Sequence, residues 1–356
     1  MLMRCLAYMA VVSMQILLVA PVSAAPFADP LETPARISAK AQSSRLMAVV
    51  GAGERLVAVG AGGHILISDD QGKIWQQVPV PVSSDLVAVR FVTPEKGWAV
   101  GHDGVVLHSA DGGRSWVKQL DGFLAAKLME ASIAKLEASR NPDLDKLVAE
   151  ARRFVEQGAD KPFFDVLFLN EKEGFVVGAF NMVFRTRDGG NTWEPLPDRT
   201  DNSAGLHLYA LAASAGELYL VGEKGLIRRW NREQERFVAI SSPYKGSYFG
   251  VLAKESVILV FGMRGNAFRS ADNGNTWKQL ETSTSRGINS GVILSDGRIV
   301  LATDGGGMIV SDSKGDVFVR AKVEKPMRYF GLAPAGLDSI VLVGAAGVAV
   351  ESLRKN

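Results

Sequence analysis

Apolar and polar positions alternate along most of this chain with the short period of β-strands. Runs such as Leu56–Val59, Trp98–Val100 and Val257–Phe261 are apolar and β-prone, and segments such as His64–Ile67 follow them after a tight turn. Alternation of this kind predicts short strands with one face buried and joined by hairpins. We therefore predict an all-β fold for most of the chain.

One segment has a helical pattern instead. Ala126, Met129, Ile133 and Leu136 recur at helical spacing, and Leu144, Val148, Ala151 and Val155 form a second stripe. Asn141, Pro142 and Asp143 between them are typical of a helix start. We predict a helical hairpin over residues 123–158, which either packs as a lid on the remaining structure or docks a partner.

A short turn motif, which we call the marker, recurs between strands at nearly constant intervals. A strand ends in Gly, two residues intervene, and a second Gly or Asn follows, as both residue types tolerate positive φ. The first members are Gly60, Gly101, Gly178, Gly222, Gly262, Thr303 and Gly344, and the second are Gly63, Gly104, Asn181, Gly225, Gly265, Gly306 and Gly347. The second members are 41, 77, 44, 40, 41 and 41 residues apart, so an insertion separates the second and third units.

A second motif, S/T-x-D-x-G-x-x-W, occurs four times in register with the marker. Its Asp and Ser or Thr are expected to bond turn N–H groups, and its Trp to pack between units, so all four sets are predicted to be structural. The sets are Ser68, Asp70, Gly72 and Trp75; Ser109, Asp111, Gly113 and Trp116; Thr186, Asp188, Gly190 and Trp193; and Ser270, Asp272, Gly274 and Trp277. A fifth, degenerate copy of the motif spans residues 311–318.

Seven units of about 41 residues predict a seven-bladed β-propeller over residues 45–353, with the helical insertion between blades two and three. The last unit is too short for a fourth strand. Residues 35–42, within the N-terminal segment 25–44, are our candidate for that closing strand.

The N-terminus predicts export. Arg4, an apolar stretch from Leu6 to Ala20 and small residues before Ala24 are typical of a signal peptide, here residues 1–24. An uncleaved anchor is the alternative. We expect a periplasmic protein, with a peripheral position on the inner membrane as a variant. The single Cys lies in this leader, so the exported chain has no disulfide to stabilise it.

Composition excludes several function classes. Forty Lys and Arg against 38 Asp and Glu give a formal charge of +2, too balanced for a strongly basic nucleic-acid binder. The four His show no metal-ligand spacing, so we expect neither metal nor cofactor.

The repeats resemble two propeller families. Residues 97–116 and 174–193 are similar to the repeat of the photosystem II stability and assembly factor family, whose members are lumenal, non-enzymatic and assist assembly of membrane complexes. That resemblance implies an exported assembly or interaction factor for an envelope membrane-protein complex, with a transporter or an assembly intermediate as partner and a monomeric chain. The S/T-x-D-x-G-x-x-W motif, the Asp-box or BNR repeat, also occurs in six-bladed sialidase-like glycoside hydrolases, so a carbohydrate-active or glycan-binding propeller is the alternative.

Propellers bind ligands at the channel mouth, and the marker allows the inner strands to be aligned. The position 15 residues before each first marker residue, or one residue earlier, should line one end of the channel. The polar or aromatic candidates there are Arg45, Asp85, His207, Arg328 and Tyr329. Ordinary solvated loop ends are the alternative interpretation, and no catalytic residue is predicted.

Overall fold

The structure, a computed structural model, describes residues 28–138 and 143–353. The predicted signal peptide, and Asn141 and Pro142 of the predicted helix start, lie outside these ranges. The described strands form seven antiparallel sheets that follow one another along the chain, six of four strands and one of three. The fold is a seven-bladed β-propeller, as the repeats predicted.

Each blade is a meander, so strands that are consecutive in sequence are neighbours in the sheet. Blades one to three contain β1 (Leu46–Ala52), β2 (Arg55–Gly60), β3 (Ile65–Ser68) and β4 (Gln76–Gln77); β5 (Leu86–Phe91), β6 (Gly97–Gly101), β7 (Val106–Ser109) and β8 (Val117–Leu120); and β9 (Phe163–Phe168), β10 (Gly174–Gly178), β11 (Val183–Thr186) and β12 (Glu194–Pro195).

The remaining blades continue in the same order. They contain β13 (Leu208–Ser214), β14 (Glu217–Gly222), β15 (Ile227–Asn231) and β16 (Arg236–Ala239); β17 (Tyr248–Lys254), β18 (Val257–Gly262), β19 (Ala267–Ser270) and β20 (Lys278–Gln279); β21 (Ile288–Ile293), β22 (Ile299–Thr303), β23 (Met308–Ser311) and β24 (Phe318–Ala321); and β25 (Tyr329–Pro334), β26 (Ser339–Gly344) and β27 (Gly347–Ser352).

Two helices, α1 (Gly122–Glu137) and α2 (Leu144–Gln157), follow β8 and precede β9 in the chain. Asp121 caps α1 by accepting a hydrogen bond from the Leu124 N–H, at 2.9 Å, and Asp143 precedes α2. Met129 and Phe154 are buried in one apolar cluster with side chains of blades two and three. The first predicted stripe therefore packs onto the propeller. In α2 the buried residues are Leu147, Ala151 and Phe154, so of the second predicted stripe only Ala151 is fully buried. Neither these nor the other described helices are long and apolar enough to cross a bilayer.

The prediction that residues 35–42 complete the last blade is wrong. Within the described part of the N-terminal segment these residues form no strand, and Ala35 N–H donates to the Val80 carbonyl, at 3.0 Å. Leu31 and Ala35 are buried in the cluster between blades one and two. Ala41 packs against Val348 at the start of β27, but no residue of the described segment pairs with that strand, so blade seven keeps three strands.

The Asp-box residues close the turn between the third and fourth strands. In blade two, the Ser109 hydroxyl accepts from Gly113 N–H, at 2.8 Å, and donates to Asp111, whose carboxylate accepts from the N–H and hydroxyl of Ser115. The Trp116 indole donates to the Gly113 carbonyl, at 3.0 Å. In blade five, hydrogen bonds from the Thr276 hydroxyl and N–H and from Ser270 lower the pKa of Asp272 to about 2.

We expect Asp111→Ala to lower the free energy of unfolding by about 1 kcal/mol, because the Ser115 and Ser109 groups lose their acceptor at a partly exposed turn. Chemical denaturation of the variant measures this loss. Glu130→Ala, at an exposed position in the middle of α1, is the control and should change stability little. Wild-type stability with selective loss of a binding activity in Asp111→Ala would contradict a structural role for the box.

Candidate interaction face at the channel mouth

The inner strands surround a central channel with a cavity of about 290 Å³. The second residue of each inner strand faces this channel and is mostly apolar or aromatic. These residues are Met47, Val87, Phe164, Tyr209, Phe249, Asn289 and Phe330. The channel therefore begins with an aromatic and apolar ring.

A second ring precedes the inner strands and forms the mouth. In every blade the backbone carbonyl of one residue accepts the N–H of the residue after the first marker position, which fixes the register of the ring. The acceptors are Arg45, Asp85, Pro162, His207, Ser247, Gly287 and Arg328. Four of the five predicted site residues, Arg45, Asp85, His207 and Arg328, thus occupy equivalent positions around one mouth.

Among the described residues, one arginine of this ring is paired with a carboxylate and the other is not. Arg45 and Asp85 form an ion pair at 2.6 Å, and Asp85 also accepts the Gly62 N–H, at 2.7 Å. Arg328 is exposed, and its side chain has no ion pair with the described residues. Arg328 is therefore available to an acidic group of a partner, whereas Arg45 is already partly neutralised.

His207 carries an aromatic surface. Its Nδ1 accepts the Phe180 N–H at 3.0 Å, and its ring centroid lies 4.5 Å from that of Phe180 and 6.0 Å from that of Phe164. Phe180 is 61% exposed and has φ of +51°, a conformation that bulky residues rarely adopt. Lys224 and Arg264 adopt the same positive φ at the equivalent turn positions of blades four and five, so the repeat sets this backbone conformation, and in blade three it presents an exposed aromatic ring at the mouth.

Tyr329 does not belong to this face, and its prediction is wrong. The side chain is 0% exposed in the core of blades six and seven, and its hydroxyl donates to the Lys325 carbonyl, at 2.6 Å. Burial raises the pKa of Tyr329 to about 12. The first residue of every inner strand is equally buried, and Tyr329 is simply the member of that set in blade seven.

The pattern of the sequence missed Phe164, Phe180 and Tyr209. Phe180 stands between marker residues, where a residue tolerant of positive φ is expected, and this anomaly could have identified it. The channel-facing aromatics occupy the position after the buried one, so a correct register would have found them. An ion pair between Arg90 and Asp165, at 3.2 Å, was also missed, because its members lie on different blades.

At the channel, Tyr209 forms a tyrosine–acid pair with Glu223, the kind of pair that a sialidase-like enzyme requires. The Tyr209 hydroxyl lies 3.5 Å from Glu223, yet burial and the Glu223 charge raise the pKa of Tyr209 to about 12. The Glu223 carboxylate is nevertheless placed to accept the phenol proton as a general base, so Tyr209 and Glu223 are the residues on which the carbohydrate-active alternative depends. The described residues contain no group of three or more His, Cys, Asp or Glu arranged to hold a metal ion.

The helical hairpin lies on the same face as the mouth. Gly122 at the start of α1 contacts the turn at Gly104, between β6 and β7, and these second-to-third-strand turns surround the mouth. Phe123 and Leu124 are 51% and 42% exposed. The mouth face therefore combines the charged ring, Phe180 and the apolar start of α1.

Comparison with solved structures places the fold among propellers. A structure described as YCF48 bound to D1 peptide aligns with a TM-score of 0.63 at 16% identity, over 88% of this chain and 95% of that chain. YCF48 from Cyanidioschyzon merolae gives 0.63 at 15% identity, over 90% and 98% of the two chains. The WD40 propeller domain of Doa1 also reaches 0.63 at 9% identity, so these scores show the fold alone.

Sequence comparison is more specific. The chloroplastic photosystem II stability/assembly factor HCF136 of Arabidopsis thaliana is 22% identical over 79% of this chain and 68% of the relative. A photosystem II assembly protein Ycf48 of Synechococcus is 30% identical over 42% of this chain and about half, 48%, of the relative. The family model described as photosynthesis system II assembly factor YCF48 matches residues 36–110, 67–135 and 145–235, more than half of the chain. The chain therefore belongs to the photosynthesis system II assembly factor YCF48 family.

Proposed function

We propose that this protein is a non-enzymatic assembly factor that binds an exposed segment of a membrane-protein subunit at its mouth face. The observation that carries the proposal is the ring in which Arg45, Asp85, His207 and Arg328 take equivalent positions around an aromatic channel entrance. Family membership supports an assembly role, and a relative of the same fold is described as bound to D1 peptide.

The chemistry of the face suits a short peptide segment. Phe180 and the ring of His207 offer an apolar surface, and Arg328 offers an unpaired cation on the same ring, three blades away from His207. A segment that crosses the mouth, with an aromatic or aliphatic side chain at one end and a carboxylate at the other, would satisfy both. Export through residues 1–24 to the periplasm, where such segments of inner-membrane proteins are accessible, is part of the same proposal.

The matching test is site-specific photocrosslinking in host membranes. A photoreactive phenylalanine analogue in place of Phe180 should crosslink to an integral membrane protein. The same analogue in place of Ile74, 73% exposed in a box turn at the opposite ends of the strands, is the control and should not. Arg45→Ala/Arg328→Ala should reduce the product roughly fivefold, the effect of losing exposed ion pairs. Equal products from both positions would refute the mouth as the binding face.

A further inference from the structure

Blade seven has an open edge where every other blade has a fourth strand. In those six blades one residue of the third strand pairs with the second strand on one side and the fourth on the other. The third-to-fourth-strand pairs are Ile67 with Gln76, His108 with Val117, Arg185 with Glu194, Arg229 with Val238, Arg269 with Lys278, and Val310 with Val319. The equivalent residue in blade seven is Val350, which pairs with Val341 of β26 and, among the described residues, with no further strand.

The backbone of β27 is oriented to accept another strand. The Val348 carbonyl accepts from Lys325 Nζ, at 3.0 Å, so it faces away from β26. The equivalent carbonyl in blade one, Ile65, accepts the Val78 N–H after β4, also at 3.0 Å. Residues two apart in a strand present their backbone groups to the same side, so Val350 also directs its N–H and carbonyl outward. One lysine thus replaces a single bond of the absent strand and leaves Val350 exposed at 44%.

A hollow adjoins this edge. A cavity of about 800 Å³ lies between blades six and seven, where Val310, Val317, Val319 and Leu353 form an apolar part of a lining that also contains charged side chains such as Arg298 and Glu324. Val317 and Val319 are 61% and 54% exposed. At the interface of blades one and two the Trp116 ring, which directly precedes β8, lies in one core cluster with Val57 and Ile67 of blade one. The described part of blade seven ends before an outer strand and has no Trp at the equivalent position on the side of blade six.

The described N-terminal segment does not pair with this edge: Leu31 and Ala35 are buried between blades one and two, and Ala41 contacts the start of β27, near Val348. We propose that β27 binds an extended segment of a partner protein as a fourth strand, whose bulky apolar side chain fills the hollow beside Val319. Main-chain bonds to Val350 would supply affinity, and the hollow would select the side chain. This surface is separate from the mouth ring, so the inference does not depend on the proposed function.

The probe is a fluorescein-labelled peptide with the sequence of residues 109–120, the box and outer strand of blade two. Fluorescence anisotropy with the full chain should show saturable binding, and the peptide with Trp116→Ala should bind at least about tenfold more weakly, as expected for loss of a buried aromatic ring. Val350→Pro removes the outward N–H at an edge where proline is tolerated, and it should weaken binding about tenfold.

Val319→Asp should weaken peptide binding similarly by placing a charge in the hollow, whereas Val117→Asp, at the same register position in blade two, should not. Unchanged melting temperatures establish that the variants are folded. Absence of saturable binding, or equal binding by wild type and Val350→Pro, overturns the proposal. Light scattering that shows a dimer abolished by Val350→Pro also overturns it, because a second copy would then occupy the edge.

Discussion

Trp116→Ala should lower the free energy of unfolding by about 3–5 kcal/mol, the range for deleting a buried aromatic side chain. The ring is 5% exposed, its indole N–H bonds the Gly113 carbonyl, and the Phe91 ring meets it edge-on at 6.1 Å. It also joins the core of blade one to that of blade two. Loss of the ring therefore removes apolar burial, a hydrogen bond and an aromatic contact together. Urea denaturation followed by circular dichroism measures the effect.

Two other boxes provide matched controls. Trp277 takes the same box position in blade five but is only partly buried, so Trp277→Ala should cost clearly less. The Trp193 indole N–H has no hydrogen-bond partner in the described structure, although the ring is as buried as that of Trp116. Trp193→Phe should therefore be milder than Trp116→Phe, which breaks a bond. Similar losses for Trp116→Ala and Trp277→Ala would show that burial does not determine the cost.

The repeats predicted the blade number because each unit carries its own turn signals, the two glycines and the box, at a fixed spacing. Each of these signals depends on the conformational preference or hydrogen-bonding group of a single residue type, so the turn can be predicted from the sequence. The helical insertion was predicted for the same reason, since its apolar spacing differs from that of every strand. What depends on contacts between distant segments was not predicted. The N-terminal segment is the main example, because its residues near Ala35 pack beside blade one and residues 41–43 contact β27 without pairing with it.

Counting a fixed number of residues back from the marker selected the wrong residue in blade seven, because the loops between the first two strands differ in length. The buried first residue of the inner strand lies 14 residues before the marker in blades one, four and five and 15 before it elsewhere, as in Leu46 with Gly60 and Leu86 with Gly101. The shorter blades join their first two strands by two-residue loops, for example between Ala52 and Arg55, and the others use longer ones. A fixed count therefore selected mouth residues in some blades and the buried Tyr329 in another.

We propose that the helical hairpin contributes to partner specificity. Replacing residues 123–158 with a linker would remove Met129 and Phe154 from the core cluster of blades two and three, so stability and binding would change together. Substitutions at the exposed start of α1 separate the effect on binding from the effect on stability. Phe123→Ser/Leu124→Ser leaves the buried stripe intact, and its positions are already 51% and 42% exposed.

We expect this double variant to melt like the wild type and to bind its membrane partner at least about tenfold more weakly, because two apolar side chains lose their burial against that partner. Co-sedimentation with host membranes at increasing protein concentration measures the affinity. Leu337→Ser, at a position 86% exposed in the loop between β25 and β26, is the control for a lost surface leucine and should bind normally. If the double variant binds as tightly as Leu337→Ser, the hairpin only covers blades two and three, and the mouth ring alone must recognise the partner.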